Sequence, residues 1–179
     1  MSSIKSLDPH LLGSIIEIQK ENRLESVESQ KDAGFLVTCF SESELLGYLK
    51  NGSALYTEVK DEKMIAFALT TPITVFTDQI KKNGSEFIKE QDFDLTGARY
   101  FYQMAVSRKH LNSGVGCKLL KKVIESEKCS LVADILTHPV RNDACLCFVK
   151  KHGFTRVGEL RLTSYRDFGS LVSEVFVLS

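Results

Sequence analysis

The sequence has no excess of charge of either sign: Lys plus Arg and Asp plus Glu number 23 each. That balance removes the global field by which a protein attracts nucleic acid or an anionic membrane, so any anion it binds must be held locally. Long apolar runs are missing too. Stretches such as Met64–Leu69 fall far short of a bilayer span, and the opening "MSSIKSLDPH" lacks the apolar core of a secretion signal. A soluble, cytoplasmic protein with no membrane or nucleic-acid partner is the expectation. No cysteine framework is present either. Cys39, Cys117, Cys129, Cys145 and Cys147 form an odd, scattered set that fits reduced thiols. Cys145-x-Cys147 has no second Cys/His pair at zinc-finger spacing, so no metal is expected. Repeats and low-complexity segments are absent.

What is present is 179 residues with 43% hydrophobic content, enough for one well-buried core and short for two. A single domain over 1–179 follows. Asp8-Pro9 starts a helix whose Leu11, Leu12, Ile15, Ile16 and Ile18 recur at helical spacing, and polar residues 22–33 read as a loop. Ser41 or Ser43 caps a second helix that Asn51-Gly52 ends. "SALYTEV" and "MIAFALT" form a hairpin through "KDEK". Residues 73–97 fit neither period. They read as a surface excursion with a short helix around 77–82, whose Glu86, Glu90, Asp92 and Asp94 are expected, with loop 22–36, at the entrance of a binding site. "ARYFYQMAV" is the strongest strand. A helix with Val115, Leu119, Leu120, Val123 and Ile124 on one face follows it, then the buried strand "SLVADIL" and the helix "NDACLCFVKKHGF" ended by Gly153. "TRVGELRL" and "SLVSEVFVL" close the chain as strands. This order predicts a mixed, mostly antiparallel α/β sheet with flanking helices.

The stretch "SRKHLNSGVGCKLL" carries the clearest chemistry. Gly114 and Gly116 sit where a strand turns into a helix, and the first amides of that helix lack intrahelical acceptors while the dipole makes them positive. An anion fits there, because glycines let phosphate oxygens approach the backbone and Asn112 tolerates a left-handed turn. Arg108, Lys109 and His110 add cationic reach. Neither familiar nucleotide motif is complete. The third glycine of G-x-G-x-x-G is replaced by Leu119, and Gly116 is followed by Cys117-Lys118 where a P-loop needs Lys-Ser/Thr.

In this order of motifs the chain resembles the GNAT superfamily of N-acyltransferases. The matching residues are a strand ending in "QMAV", the loop "LNSGVG" opening a helix, and "NDACLCFVKKHGF", together covering 99 to about 160. The resemblance implies a GNAT-like acyl-CoA-binding fold and an N-acetyltransferase that moves acetyl from acetyl-CoA to a primary amine of a small molecule or peptide. It places the pantetheine arm along Met104, Ala105 and Val106. The pyrophosphate falls on the amides of Leu111, Asn112, Ser113, Gly114, Val115, Gly116 and Cys117, and Asn142, Cys145 and Phe148 border the arm. The chain departs from the pattern at three places. Leu111 stands where Gln or Arg is usual, Val149 where many members carry a Tyr, and Tyr100 and Tyr102 where some carry Glu or His bases. Tyr102 and Tyr100 are therefore the expected proton carriers, or walls of the acceptor pocket, and alternation puts them with Met104 on one strand face. His138 is a third candidate, read first as an ordinary loop histidine and second as a proton carrier. Asn142 is readable as a helix cap. Cys117 needs no covalent role in direct transfer. The alternative is a catalytically weak acyl-CoA-binding or sensing module, motivated by Val149 and by the lack of a carboxylate on the "RYFYQMAV" strand.

Overall fold

The computed structural model describes residues 9–24, 33–82, 85–163, 165 and 169–179. Helix α1 (Pro9–Glu21) and helix α2 (Glu42–Lys50) come first. The Asp8 cap and most of the expected loop 22–33 lie outside the described residues. Ser41 caps α2 through a reciprocal box with Glu44, satisfying two otherwise unpaired amides. Strands β1 (Ala54–Lys60) and β2 (Lys63–Pro72) form the expected hairpin, whose turn residues Asp61 and Glu62 both have positive φ. Next come α3 (Ile73–Lys82), β3 (Glu86–Lys89), β4 (Arg99–Val106), a single 3-10 turn at Arg108–His110, and α4 (Val115–Glu127). The chain finishes with β5 (Leu131–His138), α5 (Asp143–Lys151), β6 (Thr155–Leu162) and β7 (Leu171–Leu178).

The seven strands make one sheet in the order β1-β2-β4-β5-β7-β6-β3, antiparallel except where β4 meets β5. Helices cover both faces, so the central strands are apolar on both. In β2, Ala66 and Ala68 pack toward Leu119, Leu120 and Val123 of α4, while Phe67 and Leu69 pack toward Ile15 and Ile18 of α1 and Leu45 of α2. In β5, Leu131 and Ala133 face α4 and α5, and Val132 and Leu136 face the α3 side. Ile124 does not join the α4 core as its spacing suggests; it is 39% exposed.

The segment 73–97 differs from the expected surface excursion. Helix α3 begins at Ile73, four residues before the expected start, because Phe76 is fully buried against Phe87 and Tyr100. Burial of a large aromatic outweighs the modest helix propensity of the β-branched Ile73-Thr74-Val75. The break at Asn83-Gly84 lies outside the described residues. Strand β3 then pairs with β6 at the sheet edge, where Gly158 makes room: a Cβ there would lie 2.4 Å from the Ile88 carbonyl oxygen. The acidic residues of this segment line no described cavity. Glu90 pairs with Arg156, Glu86 approaches Arg161, Asp92 pairs with Lys89, and Asp94 accepts from the Thr96 amide.

Candidate functional site

Strands β4 and β5 pair only at Arg99–Leu131 and Tyr100–Val132, and then part. The edge of β4 beyond Tyr100 has no strand partner among the described residues, so its peptide groups need other ones. The Asn22 side-chain amide takes one of them, donating to the Val106 carbonyl at 3.1 Å and to the Ile18 carbonyl at 2.8 Å. Two cavities open in the gap.

The first, about 230 Å³, runs from the end of β4 to the start of α4. Met104, Ala105 and Val106 line one side, Leu111, Asn112, Gly114, Gly116 and Cys117 the end, and Cys145 and Phe148 of α5 the other side. Asn112 has φ +58 and Gly114 φ +82, so the loop uses left-handed backbone at both positions. Gly114 caps α4 with no side-chain bond, and the first intrahelical bond runs from the Lys118 amide to the Gly114 carbonyl. The amides of 115–117 thus have no acceptor within the helix, and they stand at its positive end. A Cβ on Gly116 would rest 3.6 Å from the Phe148 ring and 3.7 Å from Val106, filling the passage. Nδ1 of His110 is buried without a hydrogen-bond partner beside this cavity. Open amides and a helix dipole make this end fit for an anion.

Three of the residues expected here are placed differently. Ser113 and Val115 do not line the cavity; the Ser113 hydroxyl donates to the His110 carbonyl at 2.5 Å. Asn142 caps α5, accepting from the Cys145 amide at 3.3 Å and donating to the Phe35 carbonyl at 3.0 Å, and it borders the second cavity. Arg108 does not reach for an anion either, because its backbone amide donates to the Glu21 carboxylate and its Nε to the Glu21 carbonyl. The end of loop 22–36, expected at the entrance of the site, does border it. Gly34, Phe35 and Leu36 line the first cavity, and a Cβ on Gly34 would come within 2.7 Å of the Cys145 sulfur. The sequence signal for them is the apolar "GFLV" that follows a polar stretch.

The second cavity, about 150 Å³, lies on the α1–α3 side of the gap. Tyr100, Tyr102, Asp134, Ser173, Thr38, Gln79 and Tyr165 contribute to its walls. The Tyr100 hydroxyl donates to the Asp134 carboxylate across the parting strands. Burial raises the Asp134 carboxyl above the usual carboxylate range, and hydrogen bonds from Tyr100 and Ser173 offset this only in part. Burial, then the Asp134 charge, holds the Tyr100 phenol well above its ordinary value. Tyr102 is raised too, chiefly by burial, and its oxygen accepts from Gln79 Nε2 at 3.1 Å and from the Tyr48 hydroxyl at 3.4 Å. Both phenols stay neutral; they can donate or relay a proton but do not serve as ready bases. Asp134 was not among the expected residues, although a single carboxylate in the apolar strand "SLVADIL" is a visible signal.

The expected face sharing of Tyr100, Tyr102 and Met104 is corrected by a bulge. Register slips so that Leu69 faces Gln103 and Thr70 faces Phe101, leaving Tyr102 as the extra residue. Met104 therefore packs with Phe101 toward α4 and α5, while Tyr102 lies with Tyr100 on the opposite side, their rings stacked at 4.9 Å. His138 is exposed and lines neither cavity. Cys145 borders both cavities, and burial pushes its thiol up to about 11, so it stays protonated. Cys117 is exposed at the start of α4, its sulfur 3.3 Å from His152 Nε2. The cavities share Phe35, Leu36, Met104, Cys145 and Phe148, so a group held there is reached from both. Among the described residues no cluster of His, Cys, Asp and Glu has the arrangement of a metal site. Among the described residues no helix is long and apolar enough to cross a membrane.

No protein-family model matches the sequence, and no curated relative does. Solved structures do match. The chain is similar to a ribosomal-protein alanine N-acetyltransferase from Escherichia coli, with TM-score 0.64, 16% identity, 97% of this chain covered and 90% of that one. It is similar to yncA from Salmonella typhimurium with its cofactor acetyl-CoA, with TM-score 0.61, 17% identity and coverage of 97% and 90%. A Desulfovibrio desulfuricans protein assigned to the GNAT family matches with TM-score 0.57, 17% identity and coverage of 96% and 92%. At these identities the likeness concerns architecture, and the parted β4 and β5 with an open helix end between them agree with it: the chain has the fold of the GNAT acetyltransferases.

Proposed function

We propose that this protein is an acetyl-CoA-dependent N-acetyltransferase that acts on a primary amine by direct attack. The observation that carries the reading is the junction at Met104 and Phe148. On one side lies a cavity ending in open helix amides, on the other a cavity holding a buried carboxylate. Acetyl-CoA is a substrate whose thioester would sit at the junction, with its pyrophosphate on the 111–117 loop and its amide-bearing arm along the free edge of β4. This matches the chemistry of the donors, since a diphosphate needs oriented N–H groups and a pantetheine arm needs unpaired strand groups.

Transfer needs a proton taken from the ammonium, a donor for the oxyanion, and a proton for the departing thiolate. Asp134 is the group suited to the first, because burial raises its pKa and so makes the carboxylate a stronger base than an ordinary one. A backbone amide of β4 at the Tyr102 bulge suits the second. The neutral Tyr102 hydroxyl, held by Gln79 and Tyr48, suits the third. The amine nitrogen adds to the thioester carbonyl and the C–S bond breaks as the adduct collapses; of the two protons the nitrogen sheds, one passes through Asp134 to solvent and the other restores the Tyr102 hydroxyl after it has protonated the thiolate. Val149, where other members have a Tyr, is buried and takes no part. A module that only sensed acyl-CoA would have no use for a carboxylate on the acceptor side, and this favours catalysis over the alternative.

We read the chain as one cytoplasmic domain working without a metal. The test is calorimetric titration with CoA followed by an assay of thiol release from acetyl-CoA with a panel of amines. Binding with amine-dependent release is expected; tight binding with no release from any amine would leave only the sensing module.

A further inference from the structure

We propose that the acceptor is a compact primary amine with an apolar body and no carboxylate, enclosed whole in the second cavity; this rests on the acetyltransferase reading above. Four observations lead there. Among the described residues the cavity lining contains one charged residue, Asp134, and no Lys, Arg or His. An ammonium entering it meets a carboxylate, whereas an acid group on the acceptor would be buried beside a like charge with no cation to answer it, which is strongly unfavourable. The walls are aromatic, with Tyr100 and Tyr102 stacked at 4.9 Å and Phe35, Phe148 and Tyr165 around them. Such walls favour an apolar body and a cation lying over a ring face.

The third observation is a hydrogen-bond vacancy. Gln103 is 6% exposed and lines the same cavity, and its Nε2 donates to the Thr38 carbonyl at 2.5 Å, which fixes the amide orientation. Its Oε1 is buried with no partner. A buried acceptor left unpaired costs free energy that a ligand N–H recovers. An acceptor N–H that opens the packing over this oxygen would pair with it. The fourth is closure. Thr38 Oγ1 and the Tyr165 hydroxyl are 2.7 Å apart, bonding the segment after α1 to the β6–β7 connection beside the cavity. A cavity of about 150 Å³ holds a body near the size of one benzene-like ring, smaller than a length of polypeptide, and the bridge stands at its edge.

The test compares phenethylamine, L-phenylalaninamide, L-phenylalanine and a pentapeptide with N-terminal phenylalanine, by kcat/KM at saturating acetyl-CoA. The amine and the amide are expected to be acetylated, and the free acid and the peptide each at least ~10-fold less well than the amide, given the cost of an unpaired buried charge. Gln103→Met is expected to raise KM for the amide with kcat little changed, and Tyr165→Phe to narrow the gap between peptide and amide. An acid or peptide used within tenfold of the amide overturns the proposal. Acetyl-CoA binding by calorimetry, with none of the four amines bound or acetylated, overturns this acceptor class and leaves the donor reading standing; absence of acetyl-CoA binding overturns both.

Discussion

Tyr100 donates its hydroxyl proton to the carboxylate of Asp134 from the neighbouring strand, just beyond the last backbone pair that joins β4 to β5. The side chains continue a contact that the backbones abandon, and they do so at the floor of the second cavity. Two properties of the protein follow from the buried carboxylate, one in catalysis and one in stability.

Asp134→Asn is expected to lower turnover by about 10²-fold, the usual size of a general-base contribution, with CoA affinity unchanged. Stability should move the other way. Burial raises the folded-state pKa of Asp134, so the native state binds that proton more tightly than the unfolded chain. Its contribution is fully present below the unfolded carboxyl value and is lost as pH rises through the folded one. Thermal melts from pH 4 to 8 should show the Asn variant gaining on wild type as pH rises. An Asn variant that loses ground to wild type as pH rises would contradict this account.

Tyr102→Phe keeps the ring contacts with Tyr48, Phe40 and Tyr100 and removes the hydroxyl held by Gln79. A fall in turnover of up to ~10²-fold is expected, with CoA affinity preserved, if this hydroxyl protonates the leaving thiolate. Wild-type turnover across pH in both Tyr102→Phe and Tyr100→Phe would make the tyrosines walls only.

How much of this was legible follows the strength of the local signal. Strands "TRVGELRL" and Leu171–Leu178 run where alternation put them, and Ser41, Asn142 and Gly153 end their helices as expected, because caps and pleats are local. The first turn of helix α3 and the whole of strand β3 were hidden because their reasons are distant: a pocket for Phe76, and a glycine at 158 that admits the Ile88 carbonyl. The glycine loop was readable as a helix start with open amides. Of the face expected to carry Tyr100, Tyr102 and Met104, only the two tyrosines share a side, since a bulge at Tyr102 reverses the parity beyond it. Asp134 could be seen as a carboxylate in an apolar strand, but its partner Tyr100 is 34 residues away in sequence.

Gly34→Ala places a Cβ where the Cys145 sulfur already lies, 2.7 Å away. Overpacking of this kind typically costs about 1–3 kcal/mol. Urea melts should show that loss in Gly34→Ala and its recovery in Gly34→Ala with Cys145→Ala, which removes the sulfur. A double variant as unstable as the single one would mean that the loop, not the sulfur, resists the methyl group.

Gly114 and Gly116 should fail for different reasons. At Gly114 no atom lies within 4 Å of a Cβ, but φ is +82, so Gly114→Ala is expected to cost about 1–2 kcal/mol of backbone strain. Gly116→Val has ordinary φ and instead fills the passage beside Phe148 and Val106, so CoA affinity should fall with the fold intact. Calorimetry and melts on the pair separate the effects; unchanged CoA affinity in Gly116→Val would remove the donor from this cavity.

Cys145→Ala and Cys117→Ala should both retain acetyl transfer. The Cys145 thiol, raised to about 11, is protonated at neutral pH and so a poor nucleophile. An acetylated cysteine that forms and decays at the rate of turnover would replace direct attack with a two-step route.

Phe35 and Leu36 border both cavities. Any rearrangement of these two residues that one ligand favours alters the space offered to the other. Such coupling is symmetric at equilibrium: if donor tightens acceptor binding by some factor, acceptor tightens donor by the same factor. The segment after α1 is thus a shared wall through which occupancy of either chamber registers in the affinity of its neighbour.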